Sequence, residues 1–109
     1  MAYKVGGQEL EADAEGYLLE ADLRDETCVA IAEAEGIALT DAHWEVIRHL
    51  RDEYQANGHS PNFRALLKGL QAQHPELDSK ALYDLFPVGP AKQGAKIAGL
   101  PQPFGKGGY

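Results

Sequence analysis

The sequence predicts a mostly helical α+β domain: a small N-terminal antiparallel β meander packed on about five helices, followed by a flexible C-terminal arm. Three observations carry this reading. Near the N-terminus, short extended runs are broken by Gly6-Gly7, and Glu9, Glu11, Asp13 and Glu15 alternate with Leu10, Ala12 and Ala14. Residues 25–86 then place apolar side chains at helical spacings. From Leu85 to Tyr109, glycine and proline supply ten of 25 residues, and three lysines supply all the charge.

Taken in order, Tyr3–Val5 and Gln8–Leu10 flank a two-residue turn signal and read as a hairpin. Gly16–Leu19 reads as a third strand, completing a meander over 3–19 with one wet face. A helix follows from Asp25, capped by Asp22 or Asp25 and ended by Gly36, with Cys28, Ile31 and Ala32 on one face. Thr40 caps the next, with Asp41 where the helix dipole favours an acid; Ile47, Leu50 and Tyr54 recur on its inner side, and Asn57-Gly58 stops it. Ser60-Pro61 opens a third helix as cap and first helical residue. Phe63, Leu66, Leu67 and Leu70 form its apolar stripe, and Pro75 closes it. Asp78 or Ser79 opens a short helix that turns Leu82, Leu85 and Phe86 inward, and Pro87–Pro90 is a stiff break. Ala91 to Ala98 makes a last helix, weakened by Gly94. The body is therefore residues 1–85, with helices over 25–86, and the arm is residues 86–109.

A chain of 109 residues is enough for one core without staples. No apolar run reaches the ~20 residues of a membrane span, and the first residues lack the apolar stretch of a signal peptide. The single cysteine, Cys28, makes no internal disulfide, so a reducing cytoplasm is the expected location. The net charge of −7 is uneven: residues 1–45 hold 12 acids and two bases, residues 46–85 five of each, and residues 86–109 only Lys92, Lys96 and Lys106. An acidic body argues against nucleic acid as the main ligand, since phosphate binding uses a basic footprint. A basic arm on such a body suits either folding back or reaching a protein partner.

Each candidate site has a plain structural role beside its functional one. The segment 41–74 is compatible with a helix-turn-helix offering Asn62, Arg64 and Lys68 to DNA; two core helices joined by a short turn explain it as well, and the acidic body favours the second reading. His43, His49, His59 and His74 never fall four apart on one helix and have no second thiol beside them, so no metal or other cofactor is expected. No phosphate loop or nucleophile elbow occurs. Cys28 is the one candidate thiol. Its place in the first turn of a helix favours a thiolate, whereas Asp25, Glu26 and its shared face with Ile31 and Ala32 favour a packed, inert thiol.

Three stretches together resemble one family: Glu35–Thr40 with His43–Ile47, the short helix ending Leu82-Tyr83-Asp84-Leu85-Phe86-Pro87, and the run Gly89–Gln93 continued by Lys96–Pro101 and Pro103. The pattern is similar to that of the DsrC/TusE family, which includes the gamma subunit associated with dissimilatory sulfite reductase and a sulfur carrier of tRNA thiolation. The resemblance implies a helical fold with a small N-terminal sheet and a mobile arm. It also implies partners among the proteins of sulfur metabolism, met through Pro90, Lys92, Gln93, Lys96, Gly99, Leu100, Pro101, Pro103 and Lys106. In the family the arm carries sulfur on a cysteine near its tip, and many members have a second one upstream. Laid onto this sequence, those positions fall at Lys106 and Ala95, so the resemblance leaves no catalytic residue. It implies a partner-binding or regulatory paralogue that does not carry sulfur; a carrier using Cys28 and a DNA-associated regulator acting through 41–74 are the alternatives.

Overall fold

The computed structural model describes residues 1–103, so Lys106 lies outside the described residues. Strands β1 (Ala2–Val5) and β2 (Gln8–Glu11) pair antiparallel, with Val5 opposite Gln8 and Ala2 opposite Glu11. Gly6 and Gly7 take positive φ (57° and 81°), the two left-handed residues a tight hairpin turn demands. The expected third strand is reduced to one bridge, Ala12 with Leu18. The cause is local: the Asp13 carboxylate accepts from the N–H groups of Glu15 and Tyr17 at 2.9 and 3.0 Å and curls the chain into a turn. The Tyr3 hydroxyl pins that turn by donating to the Gly16 carbonyl at 2.8 Å.

Five helices follow: α1 (Asp25–Ala34), α2 (Asp41–Asn57), α3 (Phe63–Gln71), α4 (Ser79–Leu85) and α5 (Pro90–Ile97). Three helix starts differ from expectation. Neither Asp22 nor Asp25 caps α1; Arg24 holds the cap position, and its side chain makes no capping bond. Asn62, not Ser60, caps α3, its side chain accepting from Ala65 N–H at 2.9 Å, so Pro61 stays outside the helix. Pro90 rather than Ala91 begins α5, at the first helical position that proline suits. Thr40, Asp78 and Gly58 cap as expected. The α2 cap is reciprocal in an unusual way: Thr40 N–H donates to His43 Nδ1 at 3.0 Å, which leaves the ring proton on Nε2 to donate to the Leu85 carbonyl at 2.9 Å. His43 thus ties the start of α2 to the end of α4.

Ile31, Val46, Ile47, Leu50, Leu66, Leu82, Phe86, Ile97 and Leu100 are fully buried and form one core with Tyr3, Val5 and Leu18. Helix α5 sits in it, packed against α1, α2, α3 and α4. Six of its residues, Pro90, Ala91, Gln93, Gly94, Ala95 and Ile97, are buried. α5 thus lies in the stretch read from the sequence as part of the arm. The last helix is a core element, and Leu100 beyond it has no exposed surface. Gly99, between them, is buried as well. Gly94 is likewise more than a weak helix former, since a Cβ there would stand 3.0 Å from Leu50 Cδ1. Its missing side chain sets how closely α5 approaches α2.

Candidate functional site

Cys28 lies on the inner side of α1 with no exposed surface. Arg51 reaches it from α2: Nη2 donates to Sγ at 2.7 Å while Nη1 pairs with the Asp25 carboxylate at 2.9 Å. The guanidinium also stands 5.9 Å from the centre of the Trp44 ring. A cation beside a thiol favours the thiolate, but desolvation favours the neutral form more strongly. Burial pushes the Cys28 thiol up to about 11, with Arg51 opposing and Asp25 and Asp22 adding to the rise. The thiol is therefore neutral at ordinary pH and sealed from reagents. Nothing in the local sequence signalled Arg51, which lies 23 residues away; only the packing of α1 on α2 brings the two together.

The residues expected to bind partners divide into two groups. Pro90, Gln93, Lys96, Gly99 and Leu100 face inward as anchors. Gln93 bridges two elements, accepting from Val88 N–H at 3.1 Å and donating to Glu35 at the end of α1 at 3.0 Å. Lys96 pairs with the other Glu35 oxygen at 3.5 Å and stands 5.3 Å from the Tyr17 ring centre. The Tyr17 hydroxyl donates to the Lys92 carbonyl at 3.2 Å. Burial first, then Glu15, Asp13 and Glu35, push that phenol up to about 12, so it stays a donor.

Asp22 provides the other half of the seat. Its N–H donates to the Gly99 carbonyl at 2.8 Å. Its carboxylate takes Arg24 Nε at 3.0 Å and the Thr27 hydroxyl at 3.0 Å, and the Arg24 bond leads the causes that hold it down at about 2. Gly99 has φ of 83°, and any Cβ there would overlap the Asp22 carbonyl oxygen. Beyond this seat the chain emerges: Gln102 is exposed and donates to Glu15 at 2.9 Å, and Pro101 and Pro103 are half-buried. Lys92 is exposed, and its carbonyl takes the Tyr17 hydroxyl. Position 95, where the resemblance places an upstream cysteine, is a fully buried alanine.

The remaining candidates are scattered. Asn62 is occupied as a cap, while Arg64 and Lys68 are exposed on α3. His74 lies between Glu45 at 2.9 Å and Glu76 at 3.4 Å. His49 packs on Gly69, where a Cβ would stand 2.5 Å from its Nε2. Among the described residues no group of three or more His, Cys, Asp or Glu side chains is placed to hold a metal, and no helix is long and apolar enough to cross a membrane.

A family model described as DsrC like protein matches residues 4–105. The chain is 51% identical over 100 residues to sulfurtransferase TusE of Escherichia coli, an alignment covering 89% of this chain and 92% of that protein. It is 47% identical to sulfurtransferase TusE of Pectobacterium atrosepticum with the same coverage. Among solved structures, the oxidized gamma-subunit of the dissimilatory sulfite reductase (DsrC) from Archaeoglobus fulgidus matches at a TM-score of 0.87 and 36% identity, over 96% of this chain and 98% of that one. DsrC of Allochromatium vinosum matches at 0.86 and 37% identity, again over 96% and 98%.

Proposed function

The chain belongs to the DsrC family, and from that premise we propose that it docks with protein partners of sulfur metabolism without carrying sulfur itself. Its relatives are named sulfurtransferases and a sulfite reductase subunit. The observation that carries the reading is the state of the thiol. A sulfur carrier needs an exposed, ionisable sulfur that a donor and an acceptor can both reach. The sole cysteine is sealed in the core beneath Arg51, where burial pushes the thiol up to about 11. Lysine occupies position 106, and an ammonium offers no polarisable lone pair to hold sulfane sulfur while it stays protonated near neutral pH.

What remains is a presentation scaffold. Asp22, Glu35, Gln93, Lys96 and Gly99 fix the base of the C-terminal segment, and in this reading the residues that meet a partner are those beyond that base, Pro101 and Pro103 among them. A partner that accepts the tip of a sulfur carrier would accept this one too, and would then be blocked or regulated by it. The test is intact mass after incubation with a persulfide donor. The protein is expected to gain no sulfur, the denatured chain to react freely with a thiol reagent, and Lys106→Cys to gain one sulfur atom. Stoichiometric loading of unmodified protein at Cys28, with transfer to an acceptor thiol, would make it a carrier and end this reading.

A further inference from the structure

Among the described residues, the outer edge of β2 is left unpaired at Glu9. Val5 and Gln8 close the turn as a hydrogen-bonded pair, and such pairs alternate along an antiparallel ladder. Tyr3 with Leu10 is then bonded, as is Met1 with Ala12, whose N–H donates to the Met1 carbonyl at 2.7 Å. Glu9 and Glu11 therefore turn their backbone groups away from β1. The Glu11 carbonyl is taken by Leu19 N–H at 3.0 Å, but among the described residues the Glu9 N–H and carbonyl have no partner. A groove of about 390 Å³ runs beside them, lined by Gln8, Glu9, Leu10, Glu11, Leu19 and Glu20.

Two features distinguish this edge from an ordinary guarded one. Charged side chains on an edge strand commonly deter pairing. Here, however, Leu19 stands at the same groove 61% exposed, an apolar contact that a purely guarded edge would not offer. The charges are also of one sign. Glu9, Glu11 and Glu20 line the groove; the nearby bases are Lys4, opposite Glu9 on β1, and Arg24, which reaches Gln8 but is already held by Asp22. A second copy pairing edge to edge would set these carboxylates against each other, which disfavours a homodimer.

We propose that this edge is a second docking surface, one that takes an extended segment of a protein partner in which apolar residues alternate with lysine or arginine. The segment would add as a strand beside Glu9, exchange main-chain hydrogen bonds with it, lay an apolar side chain on Leu19 and set its cations against Glu9, Glu11 and Glu20. The inference rests on the partner-docking reading, but its site lies on the hairpin and uses neither the thiol nor the C-terminal segment.

The probe is an octapeptide of alternating valine and lysine, titrated into the full chain and followed by amide chemical shifts and hydrogen exchange. Shifts are expected at Glu9, Glu11 and Leu19, with exchange at the Glu9 amide slowed by about tenfold or more at saturation. Glu9→Pro removes an outward N–H without touching a ladder bond, so it should leave the hairpin intact and weaken binding by roughly tenfold. The double change Glu9→Gln with Glu11→Gln should weaken it by roughly fivefold and flatten its salt dependence. Should Glu9→Pro fail to fold, Leu19→Ser gives the same reading from the apolar contact. A block peptide of the same composition that binds as tightly would reduce the effect to bulk charge and overturn the proposal. So would a Glu9 amide already protected before peptide is added, which would assign the edge to this chain's own residues, or concentration-dependent dimerisation through Glu9. Sulfur uptake would refute the non-carrier reading while leaving this result unchanged, so the two failures are separable.

Discussion

Helices α3 and α5 are nearly equal in length, nine and eight residues, and both pack on α2, yet they are buried by different means. α3 is a striped helix: Leu66 and Leu70 are buried while Arg64 and Lys68 face out. It fills space with large side chains. α5 carries one large aliphatic residue, Ile97, and is buried on most of its surface because alanine and glycine let neighbouring helices approach its backbone. The difference teaches that a segment rich in small residues and proline can be the tightest part of a core. The composition that suggests a loose arm is the same one that permits close contact. α5 resolves in favour of contact because Leu50, Phe86 and Glu35 stand ready to meet it.

The largest loss is expected at Gly99, the residue that seats the end of α5 against Asp22. Gly99→Ala is expected to cost about 3 kcal/mol or more, since it combines a left-handed backbone with a collision against the Asp22 carbonyl. Chemical denaturation measures it; a loss below about 1 kcal/mol would show that the seat is loose and restore the arm to residue 99. Gly94→Ala sharpens the point. It gains about 1 kcal/mol in helix propensity but forces Leu50 Cδ1 aside, and overpacking costs roughly 1–3 kcal/mol, so a net loss of about 1 kcal/mol is expected. Stabilisation would mean that α5 and α2 are not at contact distance. The smallest effect concerns the anchor at Asp22. Its folded value of about 2 lies below the usual 3.8, so it contributes stability above pH 3.8 that disappears as the pH falls toward 2. Wild type should exceed Asp22→Asn by about 1 kcal/mol at pH 6, with the gap closing on acidification through that window. A gap constant with pH would show that the stabilisation does not come from the Asp22 charge.

Much of the framework was legible in the residues themselves. Thr40 and Gly58 delimit α2 as read, because a hydroxyl cap and a left-handed glycine act within one helical turn. The Gly6-Gly7 hairpin and the inward face of Cys28 were legible for the same reason: each follows from spacing a few residues long. The third strand was misread because alternation of charge does not show that Asp13 would bond its own neighbours and bend the chain. Ser60 was read as the α3 cap, and Asn62 was considered only for the disfavoured DNA reading; the structure gives the cap to Asn62, because Ser60 and Asn62 are both capping residue types two positions apart.

The residues alone settled that about five helices follow a hairpin, where α2 starts and stops, that one thiol exists, and that lysine stands at position 106. They left open whether small residues mean looseness or closeness, and which distant side chains meet. The tertiary structure decided both: it put Arg51 on Cys28, Gln93 on Glu35 and Asp22 on Gly99. The physical reason is range. Caps and turns are settled by atoms within a few bonds' reach along the chain, whereas burial and close approach depend on the opposing surface, which exists only once the chain has folded.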